Sequence, residues 1–570
     1  MSKINFIALG GQDERGKNLF LIEVDEDIFI FDAGVKFPDR GILGIDLVIP
    51  NIEYLKMNKN RIKGIFISSP SAYNSGALPY ILKEIDVPVY CNELTTVALK
   101  YKNQRYRLKN RDANFKILKD KDVVNFGKNK IEVFRTTAVF PQTFGYVLHT
   151  ENGLVIYAGD YIFDGEEKSF FSTDLQHIAN ISQKGVLAFL SDSEFASRSD
   201  FTSPNYRVAK HIDAVIKEKA RLVIVIFEED IFKFSEIASA AKANGRKIAV
   251  YGKTLATILE SDIIHKNLNI TKDDLFSIEE YVKSDNGVLL VTGTANLIYS
   301  RLAKIATGND DAVEFTEDDI IVIATPPAAG IERKHAQVMD DLARTNARLI
   351  ALLDRNIWSM KASYEDIKLM ISLIKPKYFI PVKGLYKEFL KAKKAAIEAG
   401  LLPENVALID NGQMLVLSKT DKLTVKVDAA TSGDVYVDGI GIGDVGAVVL
   451  NERKQLSTDG IVIVGAAIDQ RTKELKSLID TQMRGVIYIQ DDNMIFKQMQ
   501  KQVTDILLKY EEDYRQKPQS FDLNALKHEI ILKIRSTIKQ DTGKTPIVLA
   551  NITELDGSWY EPKKESKLNN

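Results

Sequence analysis

The chain has little of what disulfide frameworks, thiolate metal clusters and membrane spans need. Its 570 residues include a single cysteine, Cys91, which excludes a disulfide framework and a zinc cluster built from thiolates. No apolar run reaches membrane-spanning length. The first residues, MSKINFIALGG, are typical of a short strand that ends in glycines rather than of a secretory leader. We therefore expect a cytoplasmic protein with no membrane segment.

Net charge is almost absent as well. Seventy-six Lys and Arg residues face 78 Asp and Glu residues, which leaves a formal net charge of −2. Any contact with nucleic acid must therefore come from local basic surface and not from bulk charge. Hydrophobic residues make up 45% of the sequence, enough to fill buried cores. At this length the usual domain size predicts about three or four structural units.

Strand and helix patterns alternate along most of the chain. Residues 1–205 mix short apolar strands with helical stretches, which predicts a layered α/β architecture. A second alternating block covers residues 206–347, and apolar strands continue over 348–428. The glycine-rich run VYVDGIGIGDVG predicts a turn-rich linker within 429–460. Residues 461–558 have the pattern of a small αβ domain, and 559–570 form a polar tail.

One loop carries most of the functional information. The segment RIKGIFISSPSAYNSGALPYIL, residues 61–82, predicts a buried strand, a polar loop and the start of a helix. It resembles the loop of metallo-β-lactamase-fold ribonucleases of the ribonuclease J family, which reads His-x-His-x-Asp-His and binds two zinc ions. The four ligand positions fall here on Ser69, Ser71, Tyr73 and Asn74. Hydroxyl and amide groups are too weak to hold zinc, so this resemblance implies a site that has lost its ligands.

Further segments follow the order and spacing of that family from about Asn5 to Leu555. They are Asp32-Ala33-Gly34, Gly159-Asp160, Ser191-Asp192-Ser193, Thr292-Gly293-Thr294, KLMISLIKPKYFIPVKGLYK, and VYVDGIGIGDVG with the following LSTDGIVIV. The resemblance implies a metallo-β-lactamase αββα sandwich with an inserted β-CASP domain and a small αβ C-terminal domain. The sandwich would comprise residues 1–205 and 348–428, the β-CASP domain 206–347, a linker 429–460, the C-terminal domain 461–558 and a tail 559–570.

The remaining ligand positions of the family are also substituted. A histidine in the second ligand segment corresponds to Ala138, and the last ligand histidine corresponds to Lys383. Asp160, at the position of the bridging aspartate, is the only ligand position retained. A Ser-Gly-His segment used against the scissile phosphate becomes Ser359-Met360-Lys361. We therefore expect the two zinc ions of the family to be lost and no cofactor to take their place.

Two interpretations of the substituted site stay open at the level of sequence. Lys361 and Lys383, with Ser359 and Ser363 beside them, could contact RNA phosphates. Alternatively the lysines could neutralise carboxylates left without metal, for which Asp160, Asp192 and Glu365 are the candidates. Asp32 is expected to support the turn that contains it. The six histidines, which fall at no ligand position of the family, are expected to be packing or surface residues.

Two basic stretches are candidates for RNA contact. ALKYKNQRYRLKNR, residues 98–111, interleaves Tyr101 and Tyr106 with basic residues, so Arg105 and Arg107 could bind phosphates while the rings stack on bases. A predicted helix in KPKYFIPVKGLYKEFLKAKKAA carries Lys387, Lys391, Lys393 and Lys394. An ordinary solvated helix face explains either stretch equally simply.

Taken with the resemblance, these features predict a degenerate paralogue of the family, inactive or weakly active, that takes part in RNA processing and decay. It would bind RNA and serve as a scaffold for an active ribonuclease J, as a homo-oligomer or hetero-oligomer with contacts through the C-terminal domain. One alternative is an active ribonuclease with a site rebuilt around Asp160, Asp192 and the two lysines. Another is a free-standing RNA-binding regulator.

Overall fold

The chain divides into two compact units. One comprises Met1–Pro38 and Asp46–Val437, and the other comprises Asp39–Ile45 and Asp438–Asn570. The structure is a computed structural model that describes residues 2–38, 42–105, 114–166, 170–327, 331–353, 355–420, 422–439, 441–443, 446–486 and 494–556. Among these residues, no helix is long and apolar enough to cross a membrane.

The first half of the larger unit alternates strands and helices. Its strands are rich in Phe, Ile and Val, and β1 and β2 are buried along their whole length, as expected for strands inside a layered fold. The elements are β1 (Ile4–Gly10), β2 (Leu19–Val24), β3 (Asp27–Phe31), β4 (Leu47–Pro50), α1 (Glu53–Met57), β5 (Ile62–Phe66), α2 (Ala72–Ser75), α3 (Leu78–Glu84), β6 (Val89–Cys91), α4 (Glu93–Arg105), β7 (Phe115–Ile117), β8 (Val123–Phe126), β9 (Asn129–Thr136), β10 (Thr143–Thr150), β11 (Gly153–Ala158), α5 (Leu175–Ser182) and β12 (Val186–Asp192).

A parallel sheet with its own helices follows. The elements are α6 (Ala209–Ile212), β13 (Leu222–Phe227), α7 (Ile231–Ala243), β14 (Ile248–Tyr251), α8 (Lys253–Leu259), α9 (Asp262–Leu268), α10 (Ile278–Val282), β15 (Val288–Gly293), α11 (Ala295–Ala306), β16 (Ile320–Ile323), α12 (Glu332–Ala343) and β17 (Arg348–Ala351). The strand order is β14-β15-β13-β16-β17, and every pairing is parallel. Successive residues of β13 supply two different apolar cores, Leu222 and Ile224 one, Val223 and Val225 the other, so this sheet is covered on both faces.

The chain then returns to the first architecture and completes it. The elements are α13 (Tyr364–Ile374), β18 (Tyr378–Val382), α14 (Tyr386–Glu398), β19 (Met414–Leu417), β20 (Thr424–Lys426) and β21 (Asp434–Asp438). An eight-stranded sheet has the order β20-β19-β1-β2-β3-β5-β6-β7, and a six-stranded sheet has the order β18-β12-β11-β10-β9-β8. Phe31 and Phe66 from the first sheet meet Tyr146 and Tyr157 from the second in one aromatic core. α5, α13 and α14 pack on the other face of the six-stranded sheet.

The smaller unit is a three-stranded sheet packed against helices. Its elements are β22 (Gly441–Ile442), α15 (Ala447–Asp459), β23 (Ile461–Asp469), β24 (Asp480–Arg484), α16 (Met494–Gln516), α17 (Leu523–Thr542) and β25 (Ile547–Leu555). β23 lies between β24, to which it is antiparallel, and β25, to which it is parallel. Val462 and Val464 pack with Val503 of α16 and Ile530 of α17. The helices therefore cover one face of the sheet.

Two predicted boundaries differ from the structure. β17 pairs with β16 of the inserted sheet, so the insertion extends past residue 347, where we placed its end. A short apolar strand has the same sequence pattern in either sheet. Only its pairing partner in the structure shows which sheet it joins. The segment 429–460, expected to be a linker, contains β21 and the 13-residue α15. The glycines before Ala447 obscured the helical sequence AVVLNERKQLSTD that follows them.

Candidate functional site

Polar side chains from five strand ends meet at one edge of the two facing sheets. Asp32 follows β3, Ser69 lies just beyond β5, Asp160 lies beyond β11, Asp192 ends β12, and Lys383 follows β18. β3 and β5 run parallel, and so do β11, β12 and β18, so the carboxyl ends of these strands coincide. This is the edge at which layered α/β proteins place their ligands.

Asp160 is the centre of the cluster. Lys361 Nζ donates a hydrogen bond to Asp160 Oδ1, and Lys383 Nζ lies 3.5 Å from the same oxygen. Asp160 Oδ2 accepts hydrogen bonds from Ser69 Oγ at 3.0 Å and Asn74 Nδ2 at 2.6 Å. Burial opposes ionisation, but the two ammonium groups outweigh it and lower the pKa of Asp160 below its ordinary value. Asp160 is therefore a carboxylate with each oxygen engaged.

Lys383 is a buried member of the cluster. Its side chain is only 2% exposed, and Nζ donates to Gly159 O at 2.7 Å and to Asn74 Oδ1 at 3.0 Å. The same Nζ lies 3.4 Å from Asp32 Oδ2. Lys383 is thus within salt-bridge reach of Asp160, as the interpretation that the lysines neutralise carboxylates requires. Because this ammonium is buried and surrounded by protein acceptors, its position favours neutralisation of carboxylates over a contact with RNA phosphate.

Asp32 lies in a fully buried turn. It accepts hydrogen bonds from Ser68 N at 2.8 Å, from Ser68 Oγ at 2.9 Å and from the hydroxyl of Tyr157. Burial raises the pKa of Asp32, and Lys383 acts in the opposite direction. Asp32 and Lys383 both have left-handed backbones, with φ of 61° and 58°. Such conformations cost roughly 1–3 kcal/mol each and persist only where the surrounding structure imposes them.

Lys361 reaches two further carboxylates. Its Nζ lies 3.5 Å from Asp192 Oδ2 and 3.8 Å from Glu194 Oε2. Burial disfavours the ammonium, but Asp160 and Asp192 outweigh burial and raise the pKa of Lys361 well above its ordinary value. Burial also raises the pKa of Asp192 to about 7. Of the partners considered for the lysines, the structure brings Asp160 and Asp192 to Lys361, whereas Glu365 pairs with Lys368.

Arg15 is a further basic residue that contacts acidic side chains next to the cluster. It lies 4.0 Å from Glu194 and donates a 2.9 Å hydrogen bond to Glu388. Arg15, Glu194, Ser68 and Tyr157 were not predicted as site residues. The strand pattern of LVIYAGD does hold one usable signal, since it directs Tyr157 into the core, where a buried hydroxyl needs a partner.

The other predicted positions have less direct roles. Tyr73 packs edge-on against Phe37, and burial raises its pKa to about 12, while Ala138 is buried and apolar. Ser71 precedes α2 and is partly exposed, as is Ser359. Ser363 is fully buried, and its hydroxyl lies within hydrogen-bond distance of two acceptors, Asp200 O and Asp366 Oδ2 at the start of α13. Ser363 therefore has protein partners in this structure, and an RNA contact by this residue stays a prediction. Arg107 and the side chain of Arg105 lie outside the part of the chain that the structure describes.

The donors in this cluster do not fit two zinc ions. Apart from Asp160, the groups at the former ligand positions are hydroxyls, an amide, a methyl group and an ammonium, and ammonium repels a metal cation. Within the described residues, no group of three or more His, Cys, Asp and Glu side chains is arranged to hold a metal ion.

Comparisons with known proteins find relatives that match nearly the whole chain. Residues 219–342 match the family described as "Ribonuclease J, beta-CASP domain", and residues 448–555 match "Ribonuclease J C-terminal domain". The chain is 34% identical over 559 residues to Ribonuclease J2 of Bacillus subtilis (strain 168), covering 97% of this chain and 99% of that protein. It is 31% identical over 560 residues to Ribonuclease J 2 of Streptococcus pyogenes serotype M3, covering 97% and 100%.

The chain belongs to the ribonuclease J family. Its fold is accordingly a metallo-β-lactamase sandwich with an inserted β-CASP domain and a C-terminal domain, which confirms the predicted fold class. A crystal structure of a protein of unknown function from Enterococcus faecalis V583 aligns with a TM-score of 0.52 and 15% identity, covering 73% of this chain and all of that one. That likeness concerns the fold alone. Members of the ribonuclease J family are metal-dependent ribonucleases, so RNA is the substrate class of the family.

Proposed function

We propose that this ribonuclease J protein takes part in RNA processing and decay in the cytoplasm without cleaving RNA itself. It binds RNA and acts as the partner of an active ribonuclease J paralogue. The observation that carries the proposal is the pair of ammonium groups of Lys361 and Lys383 beside Asp160. They supply positive charge where the family has metal ions.

Charge alone does not replace the chemistry of those metal ions. Two bound metals activate a water molecule and stabilise both oxygens of an in-line displacement. A protonated lysine cannot accept the proton of that water, and Asp160 is held by Lys361, Ser69 and Asn74. The lysines instead compensate buried carboxylates, because an unpaired buried charge would cost several kcal/mol, on the order of 3–5. The cluster thus supports a stabilising role in the sandwich.

The C-terminal domain offers a surface for assembly. Ile463 of β23 and Leu549 of β25 are register partners and are 38% and 49% exposed, on the face of the sheet that α16 and α17 do not cover. We propose that this face pairs with the same domain of a second copy or of the active paralogue. The surface would form a homo-oligomer or a hetero-oligomer by the same contacts.

The test compares the full-length chain with its active paralogue under identical conditions. We expect substoichiometric zinc by elemental analysis, a melting temperature that a chelator barely changes, and no cleavage of 5′-labelled RNA in zinc, magnesium or manganese. The paralogue should cleave the same RNA, which controls for the assay. Two tightly bound ions per chain, or cleavage that Asp160→Asn abolishes, would refute the inactive site and favour the rebuilt nuclease. Failure to co-purify with the paralogue would favour a free-standing regulator.

A further inference from the structure

Guanidinium groups and aromatic rings alternate beside the acidic cluster. Arg198 Cζ lies 4.2 Å from the ring centroid of Phe195 and 4.9 Å from that of Trp358. Arg15 Cζ lies 5.8 Å from the centroid of Phe195. Cations at such distances are attracted to the face of a ring, most strongly to that of tryptophan. We call Phe195, Arg198 and Trp358 the rim stack.

Backbone contacts hold the rim stack in place. Arg198 N donates to Phe195 O at 3.0 Å, and Trp358 N donates to Asn205 O at 2.9 Å. Phe195 also forms an isolated bridge with Ser363, at the start of α13. The side chains thus have fixed backbones, although all three residues of the stack remain partly exposed. A large aromatic side chain left partly exposed on a rigid backbone is suited to contact a ligand.

Residues of the rim stack are close in sequence to residues of the cluster. Phe195 directly follows Glu194, which lies 3.8 Å from Lys361 Nζ, and Trp358 precedes Lys361 by three residues. The cluster beneath holds the carboxylates of Asp160 and Asp192, so it repels phosphate once its lysines are paired. An RNA strand is therefore favoured at the rim, where Arg198 lies over two aromatic rings that can present π faces.

We propose that Trp358, held by Arg198 against Phe195, is a stacking platform for a nucleobase of single-stranded RNA. The proposal rests on the RNA-binding function above and adds the residues that would carry it. Every nucleobase has a π face, so the platform binds without strict sequence preference, and the arginines contribute attraction to the phosphates. The strand is held beside the altered site instead of being drawn into it.

The fluorescence of Trp358 can report this contact. Its two tryptophans are Trp358 and Trp559, so the full-length Trp559→Phe variant emits from Trp358 alone. We expect a 12-nucleotide oligoadenylate to quench that emission in proportion to binding measured independently by fluorescence anisotropy. An oligonucleotide of equal length made of abasic sites carries the same phosphates without bases, and should bind more weakly and quench little.

Substitutions test the same contact by affinity. We expect Trp358→Ala to weaken oligoadenylate binding roughly tenfold, whereas Trp358→Phe keeps most of it, because stacking on one base is worth about that much. Arg198→Lys keeps the charge, loses the planar group and should have an intermediate effect. Unchanged Trp358 emission while RNA binds at full affinity would overturn the platform and leave RNA binding elsewhere intact. No RNA binding at all would overturn both proposals, and quenching by an acidic peptide instead of RNA would assign the stack to a protein partner.

Discussion

At the scale of single residues, the cluster is a network in which each cation serves more than one carboxylate. Lys383 lies between Asp32 and Asp160, and Lys361 lies between Asp160, Asp192 and Glu194. Removing a cation therefore affects its partners unequally. Asp160 keeps Lys361 if Lys383 is lost, whereas among the residues that the structure describes Lys383 is the cation within 4 Å of Asp32. Loss of Lys383 should therefore affect Asp32 more than Asp160.

The first prediction concerns the removal of the Lys383 ammonium. Lys383→Met should lower the free energy of unfolding by about 3–5 kcal/mol at pH 7, because it leaves Asp32 buried without a cation. The loss should shrink as the pH falls toward the ordinary pKa of aspartic acid, since burial already raises the pKa of Asp32 and a protonated carboxyl needs no cation. Urea titrations across pH measure both effects.

Two further variants separate charge from other causes. Adding Asp32→Asn to Lys383→Met should recover part of the loss, because the amide removes the unpaired charge. Lys394→Met, at a side chain 67% exposed, should change the unfolding free energy by less than about 0.5 kcal/mol. Equal losses in Lys383→Met and Lys394→Met would mean that Lys383 does not neutralise the cluster.

At the scale of secondary structure elements, a second ion network joins β9, β10 and α5. Glu132 of β9 lies 2.7 Å from His149 Nε2 of β10 and 3.4 Å from His177 Nε2 of α5, with Lys184 Nζ at 3.3 Å. The hydrogen bond from His149 is the main cause that lowers the pKa of Glu132 to about 2, against the opposing effect of burial. These histidines pack against a carboxylate, in keeping with the structural role predicted for them.

The depressed pKa of Glu132 predicts acid sensitivity. A carboxylate with a lowered folded-state pKa stabilises the fold above its ordinary pKa of 4.5, and this contribution is lost as the pH falls toward 2. Glu132→Gln should therefore lower the urea midpoint at pH 7 and flatten its decline between pH 5 and pH 3. Glu26→Gln, at a side chain 91% exposed, is the matched control and should retain the wild-type decline. Parallel declines in all three proteins would remove Glu132 from the explanation.

Elements with a local sequence pattern could be predicted, whereas contacts between residues far apart in the sequence could not. Local patterns predicted the strands of both facing sheets, and aligned motifs located Asp160, Lys361 and Lys383. β17 was assigned to the wrong sheet, because its apolar residues fit either one. Arg15 and Glu388 are 373 residues apart in sequence. Contacts of that kind are formed by the folded chain and leave no mark on the local pattern of a single sequence.

At the scale of the whole molecule, the assembly surface that we propose and the cluster belong to different units. Ile463 and Leu549 lie in the smaller unit, and the lysines lie in the larger one. We therefore expect variants of the two regions to have separable effects. A variant that weakens assembly should leave RNA binding by the rim stack measurable on the isolated chain.

The corresponding prediction concerns oligomeric state. The double variant Ile463→Asp and Leu549→Asp should shift the protein to monomer in analytical ultracentrifugation and abolish co-purification with the active paralogue, because charges placed on both register partners oppose burial of that face. Leu478→Asp, at a residue 94% exposed in the same unit, should change neither property. If the double variant still dimerises and still binds the paralogue, the interface lies elsewhere.

The left-handed backbones of Asp32 and Lys383 also bear on redesign. Both backbones are left-handed at residues whose side chains form a salt bridge with each other, and each residue directly follows a strand. Gly34 is part of the same arrangement, because a Cβ there would lie 1.5 Å from Tyr73 O. A designer who wished to install a metal centre in this chain could therefore keep the loops and exchange side chains only. The harder task would be to rebuild the hydrogen bonds around each new ligand.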